Sequence, residues 1–197
     1  MSRIFIAALG FLMMAVAPMT LADETCMSPY MAKIVGQEDY VYIWTLGMEG
    51  VGDGEDKLVT VDVNPDSKTY GEVVHSLSVG GRNEAHHSGL TDDRRYLWAS
   101  GLDTSKIFIF DIYTDPAQPR LHREIDDFVA KTGGIVGPHT NYALPGRMLI
   151  TGLSNNRDHG GRTGMAEYTN DGDFITSVWM PTDDNLQGAV KSGNYAD

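Results

Sequence analysis

Asn83-Glu84-Ala85-His86-His87-Ser88-Gly89-Leu90 sets two imidazoles side by side, ahead of a small residue and a glycine. Fifty-two residues after His87, the stretch His139-Thr140-Asn141-Tyr142 takes the same place in a second unit. His87 is followed by Gly89-Leu90, an Asp92-Asp93 turn and the apolar run Tyr96-Leu97-Trp98-Ala99-Ser100-Gly101-Leu102. His139 is followed by Tyr142-Ala143-Leu144, a Pro145-Gly146 turn and Met148-Leu149-Ile150-Thr151-Gly152-Leu153. Leu97 and Leu149 each lie ten residues beyond their histidine. This shared register marks an internal repeat, and the repeat decides the fold.

Outward from it, the chain reads as short strands. Tyr40 to Leu46 is rich in aromatic and β-branched residues, Lys57 to Val63 alternates, and Glu72 to Val79 ends at Gly80-Gly81. Gly47 to Asp56 is an acidic, glycine-rich loop without the ligand spacing of an EF-hand. In the next unit the expected strands are His87–Leu90, Tyr96–Ser100, Lys106–Ile112 and Arg120–Ile125, with a helical turn over Asp126–Lys131. The third unit runs from His139 through Met148–Leu153 and Gly164–Thr169. An Asn170-Asp171-Gly172-Asp173 turn then leads to Phe174–Met180. No long amphipathic helix is present in the pattern.

Strands in groups of four, repeating about every 50 residues, predict an all-β fold of the β-propeller type. A two-sheet sandwich is the alternative. Val61-Asp62-Val63 and Phe110-Asp111-Ile112 fall on equivalent third strands, and their aspartates read as turn acceptors rather than ligands. A propeller closes with roughly four to eight blades, whereas this pattern fills only about three to four. The expectation is an incomplete ring with open sheet edges and uncovered apolar blade faces.

Residues 1–22 carry Arg3, an apolar stretch from Ile4 to Val16, and Thr20-Leu21-Ala22 before Asp23. That is the pattern of a secretory signal peptide, and it predicts a periplasmic protein. The apolar stretch is shorter than the ~20 residues of a membrane span. Losing Arg3 with this leader leaves 14 basic against 27 acidic residues, a net charge of −13. Such a chain repels phosphate backbones, so nucleic acid is an unsuitable partner. The single cysteine, Cys26, makes no intrachain disulfide. It reads equally as a free thiol, an intermolecular partner or a buried residue.

First strands of propeller blades line the central channel. His87 and His139 head successive first strands, and His86 is adjacent. Three imidazoles can thus meet near the channel mouth, where imidazole nitrogen suits copper, zinc, iron or nickel. The bland reading is three separately satisfied polar residues. No cysteine pair accompanies them, which argues against a structural zinc cluster. His75 and His122 are expected on exposed outer strands, and His159 in the loop Asn155–Gly161. Trp44, Trp98 and Trp179 read as blade packing. No Ser-His-Asp or Cys-His arrangement stands out, so no catalytic side chain is assigned.

The chain resembles the bacterial selenium-binding protein / methanethiol oxidase family. The stretches that carry the resemblance are Cys26-Met27-Ser28-Pro29-Tyr30-Met31, Lys57-Leu58-Val59-Thr60-Val61-Asp62-Val63, Glu84-Ala85-His86-His87-Ser88-Gly89, Pro119-Arg120-Leu121-His122 and His139-Thr140. They match about the first half of a family member. The resemblance implies a seven-bladed propeller and a copper enzyme that converts methanethiol, O2 and water to formaldehyde, H2S and H2O2. It implies His86, His87 and His139 as copper ligands, with a further histidine in the missing C-terminal half. The alternative within the family is a non-catalytic propeller that binds metal, selenium or a partner. The sequence departs at Gly71. Vertebrate relatives place a cysteine proposed to bind selenium in the stretch matched by Tyr70-Gly71-Glu72, and a glycine offers no side chain for that role.

Overall fold

The computed structural model describes residues 28–181, apart from 35, 157 and 159. The expected leader, Cys26 and His159 lie outside the described residues. Strands β1 (Tyr40–Thr45), β2 (Lys57–Asp62) and β3 (Val73–Ser78) form one antiparallel sheet in the order β1-β2-β3. Strands β4 (Ala85–Leu90), β5 (Tyr96–Gly101), β6 (Lys106–Asp111) and β7 (Arg120–Ile125) form a second, in sequence order. A short helix, α1 (Phe128–Thr132), precedes the third sheet of β8 (Val136–Leu144), β9 (Arg147–Ser154), β10 (Gly164–Thr169) and β11 (Phe174–Trp179). These are three up-and-down blades of an all-β propeller, and the two-sheet sandwich is set aside. The helical turn expected over Asp126–Lys131 begins two residues later. It stops at Gly133, whose left-handed φ of 76° ends the helix. Among the described residues no helix is long and apolar enough to cross a membrane.

Side-chain alternation explains the stacking. On β5 and β6, Leu97, Ala99, Phe108 and Phe110 face the first blade and pack with Leu58, Trp44 and Leu77. Tyr96, Trp98, Ile107 and Ile109 face the third blade and pack with Met148, Ile150, Ala166 and Tyr168. Every residue of β5 is therefore buried, whereas β2 and β10 bury alternate residues only. A strand covered on both faces reads as a continuous apolar run, and one covered on a single face alternates. Each large side chain buried this way contributes about 1.5–3 kcal/mol. The outer faces keep exposed apolar residues, Val41 and Ile43 on β1 and Ile175 and Val178 on β11.

Carboxylates tie the turns. Asp62, at the end of β2, accepts from Ser67 Oγ at 2.5 Å, Thr69 Oγ1 at 2.6 Å and the Asn64 N–H at 2.9 Å. Asp111, at the end of β6, accepts from Thr114 Oγ1 at 2.6 Å and the Tyr113 N–H at 3.0 Å. Both are the turn acceptors expected from the sequence. Asp92 works between blades, accepting from the Gly146 N–H at 2.9 Å and Asn170 Nδ2 at 2.7 Å.

The ionised forms of all three are favoured in the fold. The Ser67 and Thr69 hydroxyls hold Asp62 below its usual pKa. For Asp92, burial raises the pKa, but the Asn170 and Gly146 donors outweigh it. For Asp111, burial again raises it, and the Thr114 hydroxyl leads the groups that bring it down. A carboxylate whose pKa is lower folded than unfolded stabilises fully above its unfolded value of about 3.9, and that stability is lost as pH falls through the folded value. The urea midpoint is accordingly expected to be insensitive to these groups from pH 7 to 5 and to drop below about pH 4. Asp92→Asn should lower it at neutral pH and flatten part of the acid drop, as measured by denaturation across pH 3–7.

Candidate metal centre

Two β-bulges build the site. On β4, Ala85 pairs with Gly101 and Ser88 with Ala99, so His86 and His87 together oppose the single residue Ser100. On β8, Pro138 pairs with Gly152 and Asn141 with Ile150, so His139 and Thr140 together oppose Thr151. A regular strand would send His86 and His87 to opposite faces. The bulge breaks that alternation and re-aims the side chains. The strands β4 and β8 lie side by side although they belong to different sheets. The two bulges therefore meet across the blade boundary.

The three rings converge. Their centroids lie 4.7 Å apart for His86 and His87, 4.6 Å for His86 and His139, and 4.4 Å for His87 and His139. His86 Nε2 and His139 Nε2 are 2.9 Å apart. One ligand nitrogen from each residue can be chosen so that all lie within 4.8 Å of one another. His86 and His87 are exposed and His139 is half-buried, so the group is open to solvent on one side. Desolvation, with the neighbouring imidazole of His86, pushes the His87 pKa below its usual value. The same desolvation, then His87 and His86, pushes His139 down. The neutral imidazole that a metal requires is thus the favoured form.

This donor set fits a first-row metal ion. Bonds of about 2.0–2.1 Å from imidazole nitrogen to metal bring ligand nitrogens to roughly 3–4 Å from one another. The 2.9 Å pair lies just under this range, and the whole group lies within 4.8 Å. Three ligands also leave a coordination position free, as in catalytic rather than structural sites. Among the described residues no cysteine or carboxylate joins the group.

Supporting residues hold the bulges. Asp56, wholly buried, accepts from the Gly47 N–H at 2.7 Å and the Asn83 N–H at 2.8 Å, and so fixes the entry into β4. Asn141 donates from Nδ2 to the His87 carbonyl at 3.2 Å and to Ser100 Oγ at 2.9 Å. Thr151 Oγ1 accepts from the Thr140 N–H at 3.1 Å inside the second bulge. A cavity of about 270 Å³ begins one residue beyond His87 and two beyond His139. Ser88, Leu90, Asn141 and Ala143 line it, and Met31 and Ser28 from the segment before β1 border it.

A sequence profile of the 56 kDa selenium-binding proteins matches residues 20–188. The chain belongs to the selenium-binding protein family. Methanethiol oxidases of Ruegeria pomeroyi and of a Hyphomicrobium species are each 59% identical to it. These matches cover 95% and 92% of this chain but 43% and 41% of those proteins. Selenium-binding protein 2 of Arabidopsis thaliana is 33% identical over 77% of the chain and 34% of its own length. The X-ray structure of a hypothetical selenium-binding protein from Sulfolobus tokodaii superposes with a TM-score of 0.64 at 28% identity, covering 76% of this chain and 36% of that one. The chain thus spans less than half the length of the relatives it matches.

Two other described histidines, His122 and His75, lie outside this cluster. His122 is exposed as expected, but its ring stacks on Tyr96 with centroids 4.5 Å apart, and its Nε2 lies 3.8 Å from Asp171. His75 departs from its expectation. It is half-buried on β3, with a buried Nε2 that has no hydrogen-bond partner among the described residues. A Thr60/Val61 bulge in the β2–β3 pairing alters the facing of that edge strand. Gly71 occupies an exposed turn at φ 80° and donates its N–H to the Asp62 carbonyl at 2.7 Å. It supplies a turn and no selenium ligand. Sequence reasoning missed Asn141 and Ser100. Asn141 stands at the repeat position of Gly89, and that small-for-large exchange on facing strands was the available cue.

Proposed function

We propose that the chain carries the metal-binding blades of a copper-dependent methanethiol oxidase, with His86, His87 and His139 as the copper ligands. The observation that carries the reading is the three-imidazole cluster, set by paired bulges, in a chain 59% identical to two methanethiol oxidases. Bound copper would supply a soft partner for a thiolate sulfur and a redox couple with O2. The reaction balances as methanethiol, O2 and water giving formaldehyde, H2S and H2O2. The methyl carbon loses two electrons and O2 gains them.

This chain's own residues bind and orient. The two bulges hold the imidazoles on one side of β4 and β8. Desolvation keeps His87 and His139 neutral and ready to ligate. The neighbouring cavity is smaller than the ~300–1,000 Å³ of sites for drug-sized ligands, which suits a small thiol. Residues 1–22 act as a signal peptide and direct the protein to the periplasm. Residues 23–197 form the N-terminal part of the ring, and further blades cover Val41, Ile43, Ile175 and Val178. The partial coverage of the relatives named above and the exposure of those four side chains support this.

The test is a copper stoichiometry on purified protein followed by assay of H2S released from methanethiol. One copper per chain with copper-dependent H2S release is expected. Tight copper without turnover would favour the non-catalytic metal-binding alternative, and no copper would remove the reading.

A further inference from the structure

Behind the histidines, three blades converge on one residue. Ser100, wholly buried on β5, is the single residue opposite the His86-His87 bulge. Its carbonyl accepts from the indole Nε1–H of Trp44, on the first blade, at 3.0 Å. Its Oγ accepts from Asn141 Nδ2, on the third blade, at 2.9 Å. The same Nδ2 group donates to the His87 carbonyl at 3.2 Å. A carbonyl can only accept, so the amide nitrogen of Asn141 must face it. Asn141 is 5% exposed, and Oδ1, at its other end, has no hydrogen-bond partner among the described residues. The side chain is therefore held by its two donated bonds alone.

We infer that Asn141 is a positioning residue that fixes the spacing of His87 against His139 across the blade boundary, with Ser100 as its anchor. The reasoning is geometric. Asn141 follows His139 by two residues on β8, and its side chain grips the backbone of His87 on β4 and the residue facing that bulge. The two strands share no sheet ladder. The amide supplies a directional tie where backbone hydrogen bonding supplies none. Trp44 holds Ser100 from the other side, so the anchor is fixed by a blade that carries no ligand. Partners one step removed from a metal commonly change its affinity by about 10–100-fold. This inference rests on the metal-centre reading above.

The test compares Asn141→Asp and Ser100→Ala with the parent protein, using copper alone as the probe. Asn141→Asp keeps size and shape but sets an acceptor against the His87 carbonyl. Ser100→Ala removes one of the two bonds, leaves the other, and is the milder change for folding. Copper affinity is read by competition with a chelator, and the ligand environment by electron paramagnetic resonance of the Cu(II)-loaded protein. Thermal unfolding of the metal-free proteins is read in parallel. Asn141→Asp is expected to bind copper about 10–100-fold more weakly with an altered nitrogen hyperfine pattern. Ser100→Ala should shift both readouts in the same direction by less. Binding within twofold of the parent and an unchanged spectrum in the variants would overturn the inference. So would an affinity loss matched by lower thermal stability with an unchanged spectrum, since that is a purely structural role. If the parent itself binds no copper, the metal-centre reading fails, and that outcome is distinct from the other two.

Discussion

His139→Ala is expected to lower copper affinity by more than 100-fold and to abolish copper-dependent H2S release, with the fold retained. Of the three imidazoles, His139 is the one contributed by the third blade, so its loss leaves a two-ligand pair on β4 that no longer bridges the blades. Changing an outer partner of a metal typically costs about 10–100-fold, and loss of a direct ligand is expected to exceed that range. His139 is also half-buried, whereas His86 and His87 are exposed. A mobile water replaces its nitrogen less readily than it replaces an exposed one. His86→Ala should be milder, because His87 and His139 still face each other with centroids 4.4 Å apart. Equal losses in the two variants would show that the ligands act as one unit. A retained affinity in His139→Ala would remove it from the site. Circular dichroism and thermal unfolding of the metal-free variant check that the ring, not the fold, was lost.

Much of the fold was legible because the strands obey simple periodicities. The ten-residue offset was correct in detail. Leu90, three beyond His87, pairs with Leu97, ten beyond it, and Tyr142 and Leu149 stand in the same relation to His139. The apolar run of β5 announced a strand covered on both faces, and the alternation of β2 one covered on a single face. Strand starts were less legible. β8 begins at Val136, three residues before the expected start, because Pro138 lacks an N–H and reads as a break. The bulge beside it accommodates that proline. β4 likewise begins at Ala85 rather than His87.

The candidate site was legible as a position but not as a mechanism of convergence. Repeat register places His87 and His139 on neighbouring inner strands. It gives His86 the opposite face, since consecutive strand residues alternate. Only the bulge, a feature of pairing between strands distant in sequence, brings His86 to the other two. The Trp44, Ser100 and Asn141 contacts were hidden for the same reason. They join residues 56, 41 and 54 positions apart, in three different blades. Trp44 read correctly as a packing residue against Phe108 and Phe110, and its indole nitrogen carries the additional bond.

Gly89→Ala is expected to damage stability and metal binding together. Gly89 has no unusual backbone angle, so the argument is one of space alone. A Cβ there would stand 2.2 Å from the Asn141 carbonyl oxygen and 3.1 Å from its carbonyl carbon and Cβ. The nearest obstacle is backbone, so no side chain can swing aside, and β4 and β8 must separate by roughly 1 Å to restore contact distances near 3.2–3.5 Å. Overpacking of this kind costs about 1–3 kcal/mol in a close-packed interior. The separation falls two residues from His87 and two from His139, and it directly opposes the Asn141 bond to the His87 carbonyl. Copper affinity should therefore fall along with the melting temperature. Ser88→Ala, on the same strand but exposed, adds no atoms and should leave both unchanged. Thermal unfolding and chelator competition on the two variants decide the matter. A Gly89→Ala protein that melts with the parent and binds copper as tightly would mean that β4 and β8 do not touch at this point, and the convergence of the three histidines would lose its structural basis.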